Sequence, residues 1–285
     1  MNNLKKILVT GATGFIGSAI AKRLEEEKWQ IIRTTRIQSE SDDVGVLYLD
    51  LSKPETILRL TAYHFDVIVH FGAYIGWAKV TKEQLFIPNV VATGLLANLA
   101  LMTDAQFIFS SAAIVCGVKA EQITRDTPVD IDTDYGKSKW LAEELVIESG
   151  AKHCILRIGG VFGFNGPDHL GLNRIIIDVI NKKTPQLHGS GSAQRNYIYL
   201  WDVAETIVSI IHNNINGTHL LSGSEQSSIR SMLEDVCEVF IPGVSLIQHT
   251  GGEVKDQLIE PSSDLPKTRN FRSALEDIRD RVVVK

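Results

Sequence analysis

The feature that most constrains this chain is its first turn. Lys5–Thr10 is a short apolar run that reads as a buried strand, and Gly11, Gly14 and Gly17 follow at once in GATGFIG, opening a helix-like stretch through about Glu27. Glycine permits a sharp turn and lets the backbone approach a ligand with no Cβ in the way. A helix that begins there offers unpaired N–H groups and the positive end of its dipole, which together bind a pyrophosphate. The same spacing can serve a plain tight turn. A strand before it and a helix after it are what make it a dinucleotide site. Thr13, Phe15 and Ile16 lie on this turn and are expected to line it with the glycines.

Apolar runs then alternate with helical stretches. Gln30–Thr35, Val46–Leu49, Asp66–Phe71, Gln106–Ser110 and His153–Ile158 read as further strands. Strands separated by helices imply a parallel sheet covered on both faces, and right-handed crossovers make a doubly wound, Rossmann-like α/β sheet the simplest topology. Residues 1–160 are expected to form this dinucleotide-binding domain. Beyond Gly163 the pattern loosens into Gly-, Asn- and Ser-rich pieces around two apolar helices near Leu172–Asn181 and Asp202–Asn213. Residues 161–285 read as a small substrate-binding lobe, partly interleaved, with about 199–222 returning to the sheet through a strand at Gly217–Leu221.

The chain has 285 residues, of which 44% are hydrophobic and 22% charged, enough for a full core and too apolar for disorder. A net charge of −5 without a Lys/Arg block disfavours nucleic acid or an acidic membrane face as the main partner. No apolar run is expected to reach the roughly 20 residues of a membrane helix. The N-terminus enters a strand without signal-peptide anatomy, and Cys116, Cys154 and Cys237 are widely spaced. These features predict a reduced, cytoplasmic protein. The eight histidines form no metal-ligand pattern, so no metal is expected.

Two further positions bear on chemistry. The end of the second strand reads Arg33-Thr34-Thr35-Arg36 with no acid nearby. An acid there would bond the adenosine ribose hydroxyls, whereas a guanidinium can pair with a 2′-phosphate. NADP(H) is therefore favoured, held at Arg36, and NAD(H) remains possible. The second position is YGKSK, in which Tyr135 and Lys139 are spaced i,i+4 on one helical face after the capping candidates of DIDTD. A phenol with a pKa of about 10 exchanges protons poorly at neutral pH, and a neighbouring ammonium stabilises its phenolate.

The glycine turn and the Tyr/Lys pair together resemble the extended short-chain dehydrogenase/reductase family, in its nucleotide-sugar (NAD-dependent) epimerase/dehydratase branch. Asp50-Leu51 resembles the family's acid–apolar pair near the adenine. Phe71, Gly72 and Ala73, in HFGA, resemble its H-x-A-A segment under the cofactor, and Asn89 resembles the Asn of N-V-x-G-T that orders the active-site helix. The resemblance implies that Tyr135 is the catalytic acid/base and that Lys139 also holds the nicotinamide ribose. It implies that Arg195, in QRNYIYLWDVA, contacts a nucleotide-sugar diphosphate. It also implies a homodimer built on the helix carrying Tyr135 and the one before it, where LLANLALM and WLAEELVI are apolar enough to take part.

The departures from the pattern guide the reaction. The family's catalytic hydroxyl falls on Ala112 if Cys116-Gly117 is aligned on V-Y-G; shifted by one, Ser111 takes the role, and Ser111 with Ala112 is expected at the substrate oxygen. Ala112 and Ala113 stand where dehydratases carry Asp-Glu, which disfavours dehydration. Gly160 replaces a sugar-binding Asn, and Asn196 replaces the Asp of R-D-Y. Tyr74 and Trp77 could line the substrate mouth. The expected activity is hydride transfer to or from a sugar carbon, first as a nucleoside-diphosphate 4-keto-sugar reductase and second as a nucleotide-sugar C4-epimerase. A reductase of another bulky carbonyl compound, or a non-catalytic NADP(H) sensor, remains open.

Overall fold

A computed structural model describes residues 4–37, 45–75, 81–168 and 170–283. The strands that form the main sheet are β1 (Lys6–Thr10), β2 (Gln30–Thr35), β3 (Val46–Tyr48), β4 (Val67–His70), β5 (Gln106–Ala112), β6 (His153–Ile158) and β7 (Gly217–Leu221). The longer helices are α1 (Phe15–Glu26), α2 (Ala92–Thr103), α3 (Asp134–Glu148), α4 (Gly171–Ile180), α5 (Leu200–Asn213), α6 (Ile229–Phe240) and α7 (Phe271–Val283).

The sheet has seven strands in the order β7-β6-β5-β4-β1-β2-β3. From β6 to β3 each neighbouring pair is parallel. The order reverses at β1, so β1 and β4 form a topological switch point, where doubly wound sheets bind ligands at their carboxyl ends. β1, β4 and β5 are buried almost throughout, as expected of parallel strands covered on both faces. Phe107 and Phe109 of β5 share a core cluster with Leu96 and Ala97 of α2 and with Ala142 and Val146 of α3. The period of two along β5 therefore turns Ser111 toward the same helices. α1 and α5 are joined to each other by Arg23–Glu205 at 2.8 Å and by His212–Glu27 at 3.0 Å.

The expectation that no apolar stretch reaches membrane length needs correction. Lys82–Phe86, a π turn at Ile87–Val91 and α2 run on as one helical stretch, Lys82–Thr103, of 22 residues, and the apolar 18-residue window within it has a mean hydropathy of 1.8. In that stretch 61% of the apolar window is buried inside the protein, among the cluster residues of the sheet face. Its burial is that of a core helix. Pro88 is accommodated inside the stretch because the π turn relaxes the helical ladder there.

The chain divides into two compact units. The first comprises residues 1–118, 128–158 and 203–219, and the second residues 119–127, 159–202 and 220–285. The first carries the parallel sheet. Within the second, α4, α6 and α7 accompany short strand pairs, among them Gln122–Ile123 with Leu258–Ile259 and Gln186–His188 with Ile247–His249.

Candidate active site

The glycine turn is built as the spacing requires. Gly11 has φ +70°, and a Cβ there would lie 2.7 Å from the Gly72 nitrogen and 2.8 Å from the Phe71 carbonyl. The loop after β4 therefore presses on the turn after β1, which brings Phe71 and Gly72 beside Gly11. A Cβ on Gly17 would stand 2.2 Å from the Gly11 carbonyl oxygen, so only glycine lets α1 close on its own turn. Gly14 is the N-cap of α1, with no side chain capping it and no acid in the first turn. The uncapped N–H groups and the dipole are thus left to an anion, and a dinucleotide pyrophosphate fits this cradle. Leu51 packs against Gly72, and Asp50 accepts from the Ser52 amide at 3.0 Å and hydroxyl at 2.7 Å.

A buried hydrogen-bond chain leads away from this turn. The Thr10 hydroxyl accepts from the Gly72 amide at 3.1 Å and lies 2.6 Å from Nδ1 of His70. Nε2 of His70 lies 3.0 Å from the Thr93 hydroxyl, which donates to the Asn89 carbonyl at 2.6 Å. Since Thr93 spends its proton on Asn89, His70 donates from Nε2 and accepts at Nδ1; the neutral tautomer is assigned by its partners. Burial and the Lys139 charge push the His70 imidazole down to about 3. Its folded pKa is depressed, so the unfolded chain takes up the proton first as pH falls. We expect stability from this group to be lost below about pH 6.5 at about 1.4 kcal/mol per pH unit. Urea unfolding at pH 7, 6 and 5 measures that slope, and His70→Gln should flatten it; an unchanged slope would mean that His70 charges freely in the folded protein.

Asn89 sits on the π turn. Its side chain holds the backbone of Tyr74 (2.7 Å to the amide, 2.9 Å to the carbonyl) and donates to Ser138 at 3.0 Å. Ser138 donates to the Tyr135 carbonyl at 2.8 Å. Asn89 therefore ties the loop after β4 to the start of α3, where Thr133 caps the Gly136 amide at 3.0 Å.

Tyr135 and Lys139 share a face of α3, with the Lys139 ammonium 5.9 Å from the Tyr135 ring centroid and 4.8 Å from that of Phe109. Nζ donates to the Ser110 carbonyl at 2.7 Å. Burial pushes the ammonium down to about 7, with Glu143 opposing the shift. Burial likewise pushes the Tyr135 phenol up, so it holds its proton at neutral pH. Lys139 is 2% exposed.

Ser111 does not face this pair with its proton. Its hydroxyl donates to Glu143, which is clamped by Arg157 of β6 through Nε at 3.2 Å to each oxygen and Nη2 at 2.8 Å. A hydroxyl has one proton, so as placed Ser111 cannot also donate to a substrate carbonyl. Ala112 ends β5 and has no hydroxyl to offer. Glu143 and Arg157 escaped the sequence reading, although the signal was present for Glu143, which lies four residues past Lys139 on one face.

Arg36 follows β2 as an exposed residue, close enough to act on the charge of Asp50, while Arg33 is drawn back to Glu25 of α1 at 2.8 Å. In the second unit, Arg195 donates to the carbonyls of Gln194 and Lys255, each at 2.8 Å. Two departures find their causes here. Asn196 donates to the carbonyls of Gly223 and Ile259 and accepts the Ile259 amide, a set that a carboxylate could not satisfy. A Cβ at Gly160 would fall 2.6 Å from the Tyr197 ring, so a side chain there is displaced by tyrosine. Trp77 lies outside the described residues. Among the described residues no cluster of His, Cys, Asp or Glu could hold a metal, and the three cysteines are buried and free.

Residues 7–221 match the family model described as the NAD dependent epimerase/dehydratase family. The chain belongs to that family. It is thus a nicotinamide-dependent enzyme of the extended short-chain dehydrogenase/reductase type on a Rossmann fold. The UDP-glucose 4-epimerase of Neisseria meningitidis serogroup B is 27% identical over 81% of this chain and 80% of its own. The probable low-salt glycan biosynthesis reductase of Haloferax volcanii is 23% identical over 94% of this chain and 88% of its own. The crystal structure of dTDP-4-dehydrorhamnose reductase from Bacillus anthracis, in complex with NADP, superposes with a TM-score of 0.81 at 16% identity, covering 99% of each chain. Other structures of this fold hold NAD.

Proposed function

We propose that this enzyme is a nucleoside-diphosphate 4-keto-sugar reductase that uses NADPH. The observation that carries the reading is the end of β2. Arg36 stands exposed there with no acid among the described neighbours on the strand, and Arg33 is already paired with Glu25. A cationic strand end with no acid of its own suits a 2′-phosphate, and Asp50, the carboxylate within reach of Arg36, already accepts from Ser52. Ala112 and Ala113, at the strand end where dehydratases carry acids, support reduction over dehydration. A sugar nucleotide is favoured as substrate because relatives named for such substrates recur. The C4-epimerase is the second reading, and the number of UDP-glucose 4-epimerases among the relatives favours it.

NADPH supplies the hydride when bound. The chain's own part is to hold it and to manage one proton. The turn at Gly11, Gly14 and Gly17 takes the pyrophosphate, Arg36 the 2′-phosphate, and Lys139 the nicotinamide ribose. Thr13, Phe15 and Ile16 line the turn, while Asp50, Leu51, Phe71, Gly72 and Ala73 border the adenine side and the floor. Tyr135, kept protonated by burial, gives its phenolic proton to the carbonyl oxygen as charge develops there. The Lys139 ammonium then steadies the phenolate. Arg195 is assigned to the substrate diphosphate. A homodimer through α2 and α3 fits the exposed Leu101, Met102 and Ile147 on those helices.

Equilibrium binding of NADPH, NADP⁺, NADH and NAD⁺ tests the reading. We expect NADPH to bind at least about tenfold tighter than NADH, a difference of about 1.4 kcal/mol, and Arg36→Ala to abolish that preference. Tightly retained NAD without a 2′-phosphate preference would replace the reductase with the epimerase. Binding of none of the four would overturn both.

A further inference from the structure

Tyr135, Lys139 and Glu143 follow one another at i, i+4 and i+8 along α3, on one helical face. Two consecutive residues of β5 meet that face on two consecutive turns: the Ser110 carbonyl takes Lys139 at 2.7 Å, and the Ser111 hydroxyl donates to Glu143. Arg157 lies opposite Ser111 in the register of β5 with β6 and closes on both Glu143 oxygens. The Glu143 side chain is 2% exposed and faces three donors, the Ser111 hydroxyl, Nη2 of Arg157 and the Arg157 Nε–H shared between both oxygens, a pattern that suits a carboxylate and not a carboxylic acid. Well-packed apolar residues would hold helix to strand at least as firmly, so a buried ion pair one turn past Lys139 asks for another explanation.

We propose that Glu143 is a positioning residue: it pins the helix carrying Tyr135 and Lys139 to the end of β5, with Ser111 as part of the pin, and supplies the buried anion that keeps Lys139 cationic. The inference rests on the reading that Lys139 holds the dinucleotide. Glu143 follows Lys139 by one turn on the same helical face, and its charge holds the Lys139 ammonium up against burial. The other titratable groups around Lys139 are Tyr135 on its own helix and the neutral His70 on β4, while Arg157 on β6 faces Glu143. None of these supplies a second anion at neutral pH.

The test is the pH dependence of NADPH affinity between pH 6 and 9, or of NADH affinity if that is the nucleotide bound, read by the fluorescence of the bound nucleotide, which needs no substrate. Wild type is expected to bind more weakly as Lys139 loses its proton. Glu143→Gln should move the midpoint about one pH unit lower, with affinity about tenfold weaker at pH 8 and within about twofold at pH 6. Glu143→Asp, which keeps the charge, should keep the midpoint. If Glu143→Gln does not fold, the Glu143→Met/Arg157→Met double exchange removes both charges while preserving volume, and the same downward shift is expected. Equal weakening at every pH, or an unmoved midpoint in the variant that folds, would reduce Glu143 to a packing role and overturn the proposal. Failure of wild type to bind either nucleotide would instead sink the underlying reading.

Discussion

Tyr135→Phe is expected to lower turnover by about 10²–10⁴-fold while leaving dinucleotide affinity within about twofold. The exchange removes one oxygen from a residue whose backbone at the start of α3 is already held by Thr133, Ser138 and Asn89, none of which bonds the phenol. The loss should therefore fall on the chemical step. Steady-state rates with nucleoside-diphosphate 4-keto sugars, alongside fluorescence titration with NADPH, separate the two quantities. Retained turnover within about tenfold would place the proton donor elsewhere. An unaltered cofactor response in a protein that never turned over would favour a dinucleotide sensor.

The second large effect is expected at Gly17. An alanine there sets its Cβ 2.2 Å from the Gly11 carbonyl oxygen, and that neighbour is backbone of the same turn that would cradle the pyrophosphate. Relief requires the turn to open or α1 to move. Overpacking of this kind costs typically about 1–3 kcal/mol, and here the strain falls on the binding groups themselves. Gly17→Ala should weaken NADPH binding by about 100-fold or more and lower the melting temperature. Gly14→Ala is the internal comparison: its Cβ would stand 3.2 Å from the Gly11 oxygen, a contact that a few tenths of an ångström relieve, and the effect should be much smaller. Comparable binding by the two variants would mean that the turn yields more easily than its geometry implies.

Much of this site could be read along the chain because its signals are local. The turn at Gly11, Gly14 and Gly17 is a few residues whose conformational demands are written in their side chains, or lack of them. Tyr135 and Lys139 come together through helical periodicity alone, and the alternation of apolar runs with helical stretches is the signature of the parallel sheet that the structure contains. The strand ends were less legible. β5 runs through Ala112, two residues past the expected end at Ser110, because pairing with β6 continues through Ser111 and Ala112.

What only the tertiary structure decided depends on groups distant in sequence. Ser111 and Ala112 differ by one position, and one position on a strand is the difference between opposite faces; the hydroxyl went to Glu143 because Arg157, on another strand, holds that carboxylate in place. Asn196 and Gly160 looked like lost substrate contacts, yet each answers to a neighbour no local pattern names: the Gly223 and Ile259 carbonyls, and the Tyr197 ring. The 22-residue helical stretch at Lys82–Thr103 has the composition of a membrane helix, and its burial on the sheet accounts for that composition. Local sequence determined the glycine turn, the Tyr135/Lys139 pair and the alternation of strands and helices, since those need only short-range geometry. Long-range packing decided which way each remaining polar group points, since a buried hydrogen bond is settled by both of its ends.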